Sequence, residues 1–328
     1  MENRSDTLPR LIAGVLAGSL AGGIGVQRMR RRRVGLGSGR ERFLDADSGN
    51  LISYQLHPAV DPAFSQDPLL VFIPDLGATV ERWSELRMAL EHDFSVLTHN
   101  RAGYGRSRYR MGGEFSLGSA VSDLLNVIEK AGSDRPVVLM GHGLGGLIAL
   151  LAEESLPTAS LMLLDPRYPA ELQRSVLLRS KSEQSGFNLK YMPSSSRIGL
   201  SSLLVPPPWA GSLPADVRRL CLDQYRDAEL WRAYMREWKA AHSELQNPDP
   251  IPVVRKPLHL VTSNTKGVES EAYEEMHVEL LKSADAGRRT SLENVMRDQL
   301  PMGSRCVASL APLVGEFLQS ICGPGRSS

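Results

Sequence analysis

The chain has 328 residues, enough for one large domain or two small ones, with an ordinary globular balance of 42% hydrophobic and 23% charged residues. Its net charge of +1 excludes a global electrostatic pull toward nucleic acid. Its three cysteines, Cys221, Cys306 and Cys322, are too few and too irregularly spaced for a disulfide framework or a zinc site.

The first forty residues form a distinct tail. Leu11 to Val26 is uncharged and apolar, and Arg28 and Arg30 to Arg33 follow at once. As a helix this stretch would be about 24 Å long, against roughly 30 Å of hydrocarbon. It predicts a short single-pass membrane anchor, with the arginine cluster holding the C-terminal domain on the cytoplasmic side. An organellar presequence or a loosely attached tail is the competing reading. Gly14, Gly18 and Gly22 have the spacing that lets two membrane helices approach, a route to a homodimer. Val34 to Gly39 reads as a flexible linker.

Residues 41–165 then alternate between strand and helix patterns. Arg42 to Ala46 and Leu51 to His57 read as paired strands around the turn Asp47-Ser48-Gly49-Asn50. Leu69 to Pro74 is a buried-type strand, Glu81 to Glu91 a helix and Phe94 to His99 another strand. The loop Asn100-Arg101-Ala102-Gly103-Tyr104-Gly105 follows, then a helix from Ser116 to Ala131. Val137 to Met140 is a strand that runs into Gly141-His142-Gly143-Leu144-Gly145-Gly146, a glycine-dense turn opening an apolar helix to Glu154. Ser160 to Leu164 is the next strand.

Residues 166–256 break the rhythm. They hold Ser/Pro-rich stretches and an aromatic amphipathic helix through Tyr225, Leu230, Trp231, Tyr234 and Trp238, and they predict a cap over the sheet. Alternation resumes over 257–322. The strands are Leu258 to Thr262 and Arg289 to Val295; the helices are Glu269 to Ser283 and Ser304 to Gln319. These elements predict an α/β fold, a mostly parallel eight-stranded sheet with helices on both faces and a helical cap.

Four motifs, in the family's order along the chain, resemble the α/β-hydrolase superfamily, in particular its membrane-tethered esterase- and lipase-like branch. They are Arg101-Ala102-Gly103-Tyr104-Gly105, Gly141-His142 with Leu144-Gly145-Gly146, Leu163-Leu164-Asp165-Pro166, and Trp83 after the third strand. The resemblance covers about Arg42 to Ile321. It implies a nucleophile elbow of the form G-x-S-x-G, a histidine after the last strand, an acid after the sixth or seventh strand, and two backbone N–H groups forming an oxyanion hole.

Carried over residue by residue, that pattern is incomplete. Gly143 stands at the nucleophile position. Arg297 stands near the histidine position. Asp165 is in place for the acid after the sixth strand, with Asn264 and Glu269 after the seventh. Leu76 and Leu144 are placed to donate the oxyanion-hole N–H groups. Asp75, however, would bring a carboxylate to a site that should hold a developing anion. If Arg297 and Asp75 paired across the pocket, the former catalytic centre would be a structural salt bridge. Asp75, Gly77, His142 and Trp231 are the pocket candidates, although His142 is expected to point sideways into the scaffold.

Three departures together predict that hydrolysis has been lost. The leading expectation is a pseudoenzyme at a membrane that binds an apolar small molecule or a protein partner. The alternative is an active hydrolase of ester or lipid substrates with a non-standard catalytic site. A third reading is dinucleotide binding, because Gly141-x-Gly143-x-x-Gly146 followed by Asp165 also matches that fingerprint. No bound cofactor and no metal are implied.

Overall fold

The computed structural model describes residues 7–61, 68–110, 114–131, 135–247, 251–264 and 268–322, with side chains from residue 21 onward except at 264, 268–270 and 322. In chain order the helices are α1 (Thr7–Leu36), α2 (Ser84–Leu90), α3 (Leu117–Lys130), α4 (Leu144–Ala152), α5 (Glu171–Arg174), α6 (Val176–Arg197), α7 (Ala215–Tyr225), α8 (Ala228–Glu244), α9 (Val268–Ser283) and α10 (Ser304–Cys322). The strands are β1 (Arg42–Asp45), β2 (Leu51–His57), β3 (Leu69–Ile73), β4 (Val96–Asn100), β5 (Val137–His142), β6 (Ala159–Leu164), β7 (Val254–Asn264) and β8 (Ala284–Glu293). They form one eight-stranded sheet in the order β1-β2-β4-β3-β5-β6-β7-β8. The pairings of β2 with β1 and β4 are antiparallel, and the remaining pairings are parallel.

Period-two geometry explains why the central strands read as unbroken apolar runs. Leu69, Val71 and Ile73 of β3 enter one core with Leu124, Val127 and Leu147 of α3 and α4. Leu70 and Phe72 enter the opposite core with Leu86, Leu310, Val314 and Phe317 of α2 and α10. Both faces of the strand are dry, so no polar alternation survives. At the edge, β8 is half-exposed and carries Arg288 and Arg289. It starts earlier than its apolar residues suggest and ends before Val295, where Asn294 turns the chain at φ +57°.

The cap lies between β6 and β7. The single aromatic helix expected there divides at Asp227. Helix α7 ends at Tyr225, and the Asp227 carboxylate accepts the Glu229 N–H (3.2 Å) to start α8. The Ser/Pro-rich stretch Pro193 to Ser196 is the last turn of α6.

Helix α1 continues through the arginine cluster and half of the expected linker. Its arginines meet carboxylates on the cap: Arg33 pairs with Asp223 (2.6 Å), Arg31 with Asp227 (3.0 Å), and Gln27 donates to Asp227 (2.8 Å). Val34 is buried. The linker expectation therefore fails up to Leu36, because charge complementarity with the cap extends the helix. Among the described residues no helix is long and apolar enough to cross a membrane, so the transmembrane helix read from the sequence is not found there. The surroundings of Gly14 and Gly18 lie outside what is described.

Candidate active site

Strand β5 delivers the chain to a sharp turn at Gly143 (φ +54°, ψ −117°), which β-carbon sterics discourage for any other residue. Gly145 follows for a second reason. A β-carbon there would overlap the Ile73 carbonyl and lie 2.5 Å from the Pro74 oxygen. The turn thus packs backbone to backbone against the end of β3, and this holds Leu144 N–H beside the loop after β3.

That loop places Asp75 at the elbow. A β-carbon built on Gly143 would overlap Asp75 Oδ1 and lie 2.6 Å from Oδ2. The carboxylate therefore fills the volume that an elbow side chain would use. Its Oδ1 accepts two backbone hydrogen bonds, from Leu76 N–H (2.7 Å) and Leu144 N–H (2.7 Å). These are the two donors read from the sequence as an oxyanion hole, and both are satisfied by the chain's own carboxylate. Burial alone would raise the Asp75 pKa. His142, Arg167, the Leu144 N–H and Arg297 outweigh burial and hold it below the ordinary carboxylate value.

His142 lines the same cavity as Asp75. Its Nε2–H donates to the Arg297 carbonyl (3.0 Å). A carbonyl can only accept, so the proton sits on Nε2, and Nδ1 carries the lone pair in the neutral ring. Burial lowers its pKa, against opposing pulls from Asp75 and Asp165, which favours that neutral form. The sideways placement expected from sequence holds for Nε2 but not for the ring as a whole.

Arg297, expected near the histidine position, makes no ion pair with Asp75 among the described residues. Its Nη2 donates to the Asp165 carbonyl (2.8 Å), and its guanidinium lies over the Tyr273 ring at 4.2 Å. The expected Arg297–Asp75 salt bridge gives way to these partners. The Asp165 carboxylate accepts from the Ser263 N–H (3.2 Å) and from the Ser263 hydroxyl. These bonds anchor the carboxylate to β7. The side chains of Asn264, Glu269 and Ser270 fall outside the described residues.

Two networks around the site join residues far apart in the chain. Arg101 bonds the Pro74 carbonyl, the Asp75 carbonyl (2.9 Å) and Glu237 of α8, whose Oε2 also accepts from Tyr104 (2.6 Å). Arg167 bonds Glu171 (2.6 Å) and Tyr273 (2.9 Å). Arg101 is visible in its loop motif, but Glu237 lies far along the chain and only folding pairs the two. Gly77 and Trp231 join Asp75 and His142 around a cavity of about 520 Å³ between elbow and cap. Among the described residues no cluster of His, Cys, Asp or Glu could hold a metal ion.

Against known proteins, the profile described as Alpha/beta hydrolase family matches residues 70–296. A protein of Pseudomonas savastanoi pv. phaseolicola named as a carbamate hydrolase, RutD, is 36% identical over 25% of this chain and 32% of its own length. Its namesake in Shigella flexneri is 25% identical over 38% of this chain and 48% of its own. The chain thus spans only 32% to 48% of the length of these relatives. Among solved structures, an epoxide hydrolase of Bacillus megaterium has TM-score 0.63 at 17% identity over 85% of this chain and all of its own. A thermophilic esterase of Thermogutta terrifontis has TM-score 0.62 at 14% identity over 86% of this chain and 98% of its own. At these identities the structural likeness speaks for the fold alone.

The family profile and the relatives in sequence are hydrolases by name, and this overturns the expectation of a non-hydrolytic pseudoenzyme. That expectation counted Gly143, Arg297 and Asp75 as three separate losses. In space, the glycine at 143 and the carboxylate of Asp75 are one arrangement, since each makes room for the other.

Proposed function

The chain belongs to the alpha/beta hydrolase family, and from that premise we propose a hydrolase of apolar ester or lipid-like substrates whose non-standard site is centred on Asp75. One observation carries the reading. The Asp75 carboxylate stands in the volume of the elbow side chain, with Oδ1 held by both oxyanion-hole N–H groups and Oδ2 left for chemistry.

Because the hole is filled by Oδ1, it cannot first serve a substrate carbonyl. It can serve a covalent intermediate on Asp75 itself. Oδ2 attacks the electrophilic carbon of an activated ester or a strained cyclic ether. A bond forms from that carbon to Oδ2, the substrate's own carbon–oxygen bond breaks, and the leaving oxygen takes the electron pair. Water then adds at Asp75 Cγ, and negative charge builds on Oδ1, where two N–H groups already point. Nδ1 of neutral His142 accepts one proton of the water and gives it to the departing product oxygen; the second, left on the Asp75 carboxyl, passes to the oxygen freed in the first step, which restores the carboxylate.

The test is hydrolysis of p-nitrophenyl butyrate and a phenyl glycidyl ether by the full chain, beside Asp75→Asn. Turnover should drop about 10⁴-fold or more in the variant. Single turnover in ¹⁸O-water should leave label in the Asp75 side chain. Equal turnover in wild type and Asp75→Asn would overturn the proposal.

A further inference from the structure

The cavity between elbow and cap has an aromatic wall. Trp209, Tyr225, Trp231 and Tyr234 follow one another with ring centroids 5.9, 5.2 and 5.8 Å apart. Into this wall the turn after β3 places Arg82, its guanidinium carbon 3.8 Å from the Trp209 ring centroid.

Arg82 differs from the arginines that hold the cap and its flanking segments through carboxylates. Arg101 pairs with Glu237, Arg167 with Glu171 (2.6 Å) and Arg33 with Asp223 (2.6 Å). Among the described residues Arg82 pairs with no carboxylate. Among the same residues its one acceptor is the Gly77 carbonyl, at a long 3.4 Å from Nη2, and its Nε is buried without an acceptor. Asp75 and Asp298 favour its charge only from beyond ion-pair range; a guanidinium drawn out of bulk water with no carboxylate in contact is costly, and its fork matches one. The Trp231 indole N–H, on the same wall, is likewise buried without an acceptor.

We infer that Arg82 is the recognition point for a carboxylate on the ligand, so that the cavity takes a molecule with an apolar or aromatic body and one free carboxylate. The inference rests on the hydrolase reading for the bond that is cut, which lies at the far end of the molecule, by Asp75. Two carboxylates share the cavity, Asp75 and Asp298. The first is tied into the oxyanion hole, so like-charge repulsion turns the ligand's acidic end away from the elbow. Its electrophilic carbon is then presented to Asp75 Oδ2. Trp209 under the guanidinium and Tyr225 beside it cover the apolar body.

Calorimetric titration of the full chain with 4-phenylbutanoate and with its neutral amide tests this without any turnover. The acid should bind wild type roughly 10- to 100-fold more tightly than the amide. That preference should vanish in Arg82→Gln, return in part in Arg82→Lys, and survive in Asp75→Asn. Unchanged amide binding in Arg82→Gln shows that the variant is folded. Equal binding of acid and amide to wild type would overturn the inference while leaving the hydrolase reading standing. A clear preference for the acid in a protein that hydrolyses nothing would sustain it and sink that reading instead.

Discussion

Asp75 and Gly143 divide one role between them. The glycine keeps the tight turn of the elbow without a side chain, and the carboxylate arrives from a neighbouring loop to occupy the space. The arrangement predicts what a restored serine would do. In Gly143→Ser the new β-carbon would overlap Asp75 Oδ1 at a backbone with φ +54°, so the carboxylate must leave its two N–H donors. A loss of roughly 1–3 kcal/mol in urea unfolding is expected, with esterase activity below wild type. Activity above wild type would show that the hole accepts serine with Asp75 in place. The pH profile follows from the same residues. Asp75 is held below the ordinary carboxylate range and His142 below the ordinary imidazole value. Lowered values keep both working forms, the anion and the neutral ring, as pH falls, and each is lost only when pH passes its own lowered value. The acid limb of kcat/KM should therefore lie below about 6.5, the unperturbed imidazole value. A limb above it would assign the base elsewhere.

At the scale of elements, the loops at the tips of β3 and β4 are bolted to helix α8 of the cap. Arg101 and Glu237 are 3% and 1% exposed in their side chains, and Arg101 also holds the carbonyls of Pro74 and Asp75. Glu237→Gln would strand a buried guanidinium and should cost about 3–5 kcal/mol by denaturant titration. A loss under about 1 kcal/mol would mean that water reaches the pair. Helix α1 is fastened to the cap in the same way through Asp227, which also caps α8. Asp227→Ala removes the cap bond and the partner of Arg31 and Gln27 together. It should lower stability by about 1–2 kcal/mol and speed amide exchange in both α1 and the first turn of α8. Faster exchange in α8 alone would show that α1 docks through other contacts.

Across the whole molecule, packing in the sheet and under α9 leaves several histidines little room for charge. Burial pushes His57, His259 and His277 to about 4 and His99 to about 3. Between those values and about 6.5 the unfolded chain binds more protons than the folded one. Their contribution is complete above about 6.5 and is lost as pH falls toward 4. The thermal midpoint should thus decline by several degrees over that window. A flat midpoint would show that these rings reach water in the folded state.

Much of this fold is legible in the linear pattern. Apolar runs of strand length at β3, β5 and β6, the glycine turn after β5 and the amphipathic stripe of α3 are local signals, because each depends on neighbours within a few residues. Boundaries blur where the pattern is not local, as at β8, whose exposed face carries charge. The extent of α1 was hidden for a similar reason, since the carboxylates that prolong it lie nearly two hundred residues away. The site divides along the same line. The sequence by itself determined that an elbow is present, that its central residue is glycine, and that Asp75, Leu76 and Leu144 lie near it. Only the tertiary structure decided that these are one device, with the carboxylate seated in the hole and in the space the glycine leaves. A hydrogen bond spanning sixty-nine residues between Asp75 and Leu144 has no trace in local composition. It exists because β3 and β5 are neighbours in the sheet.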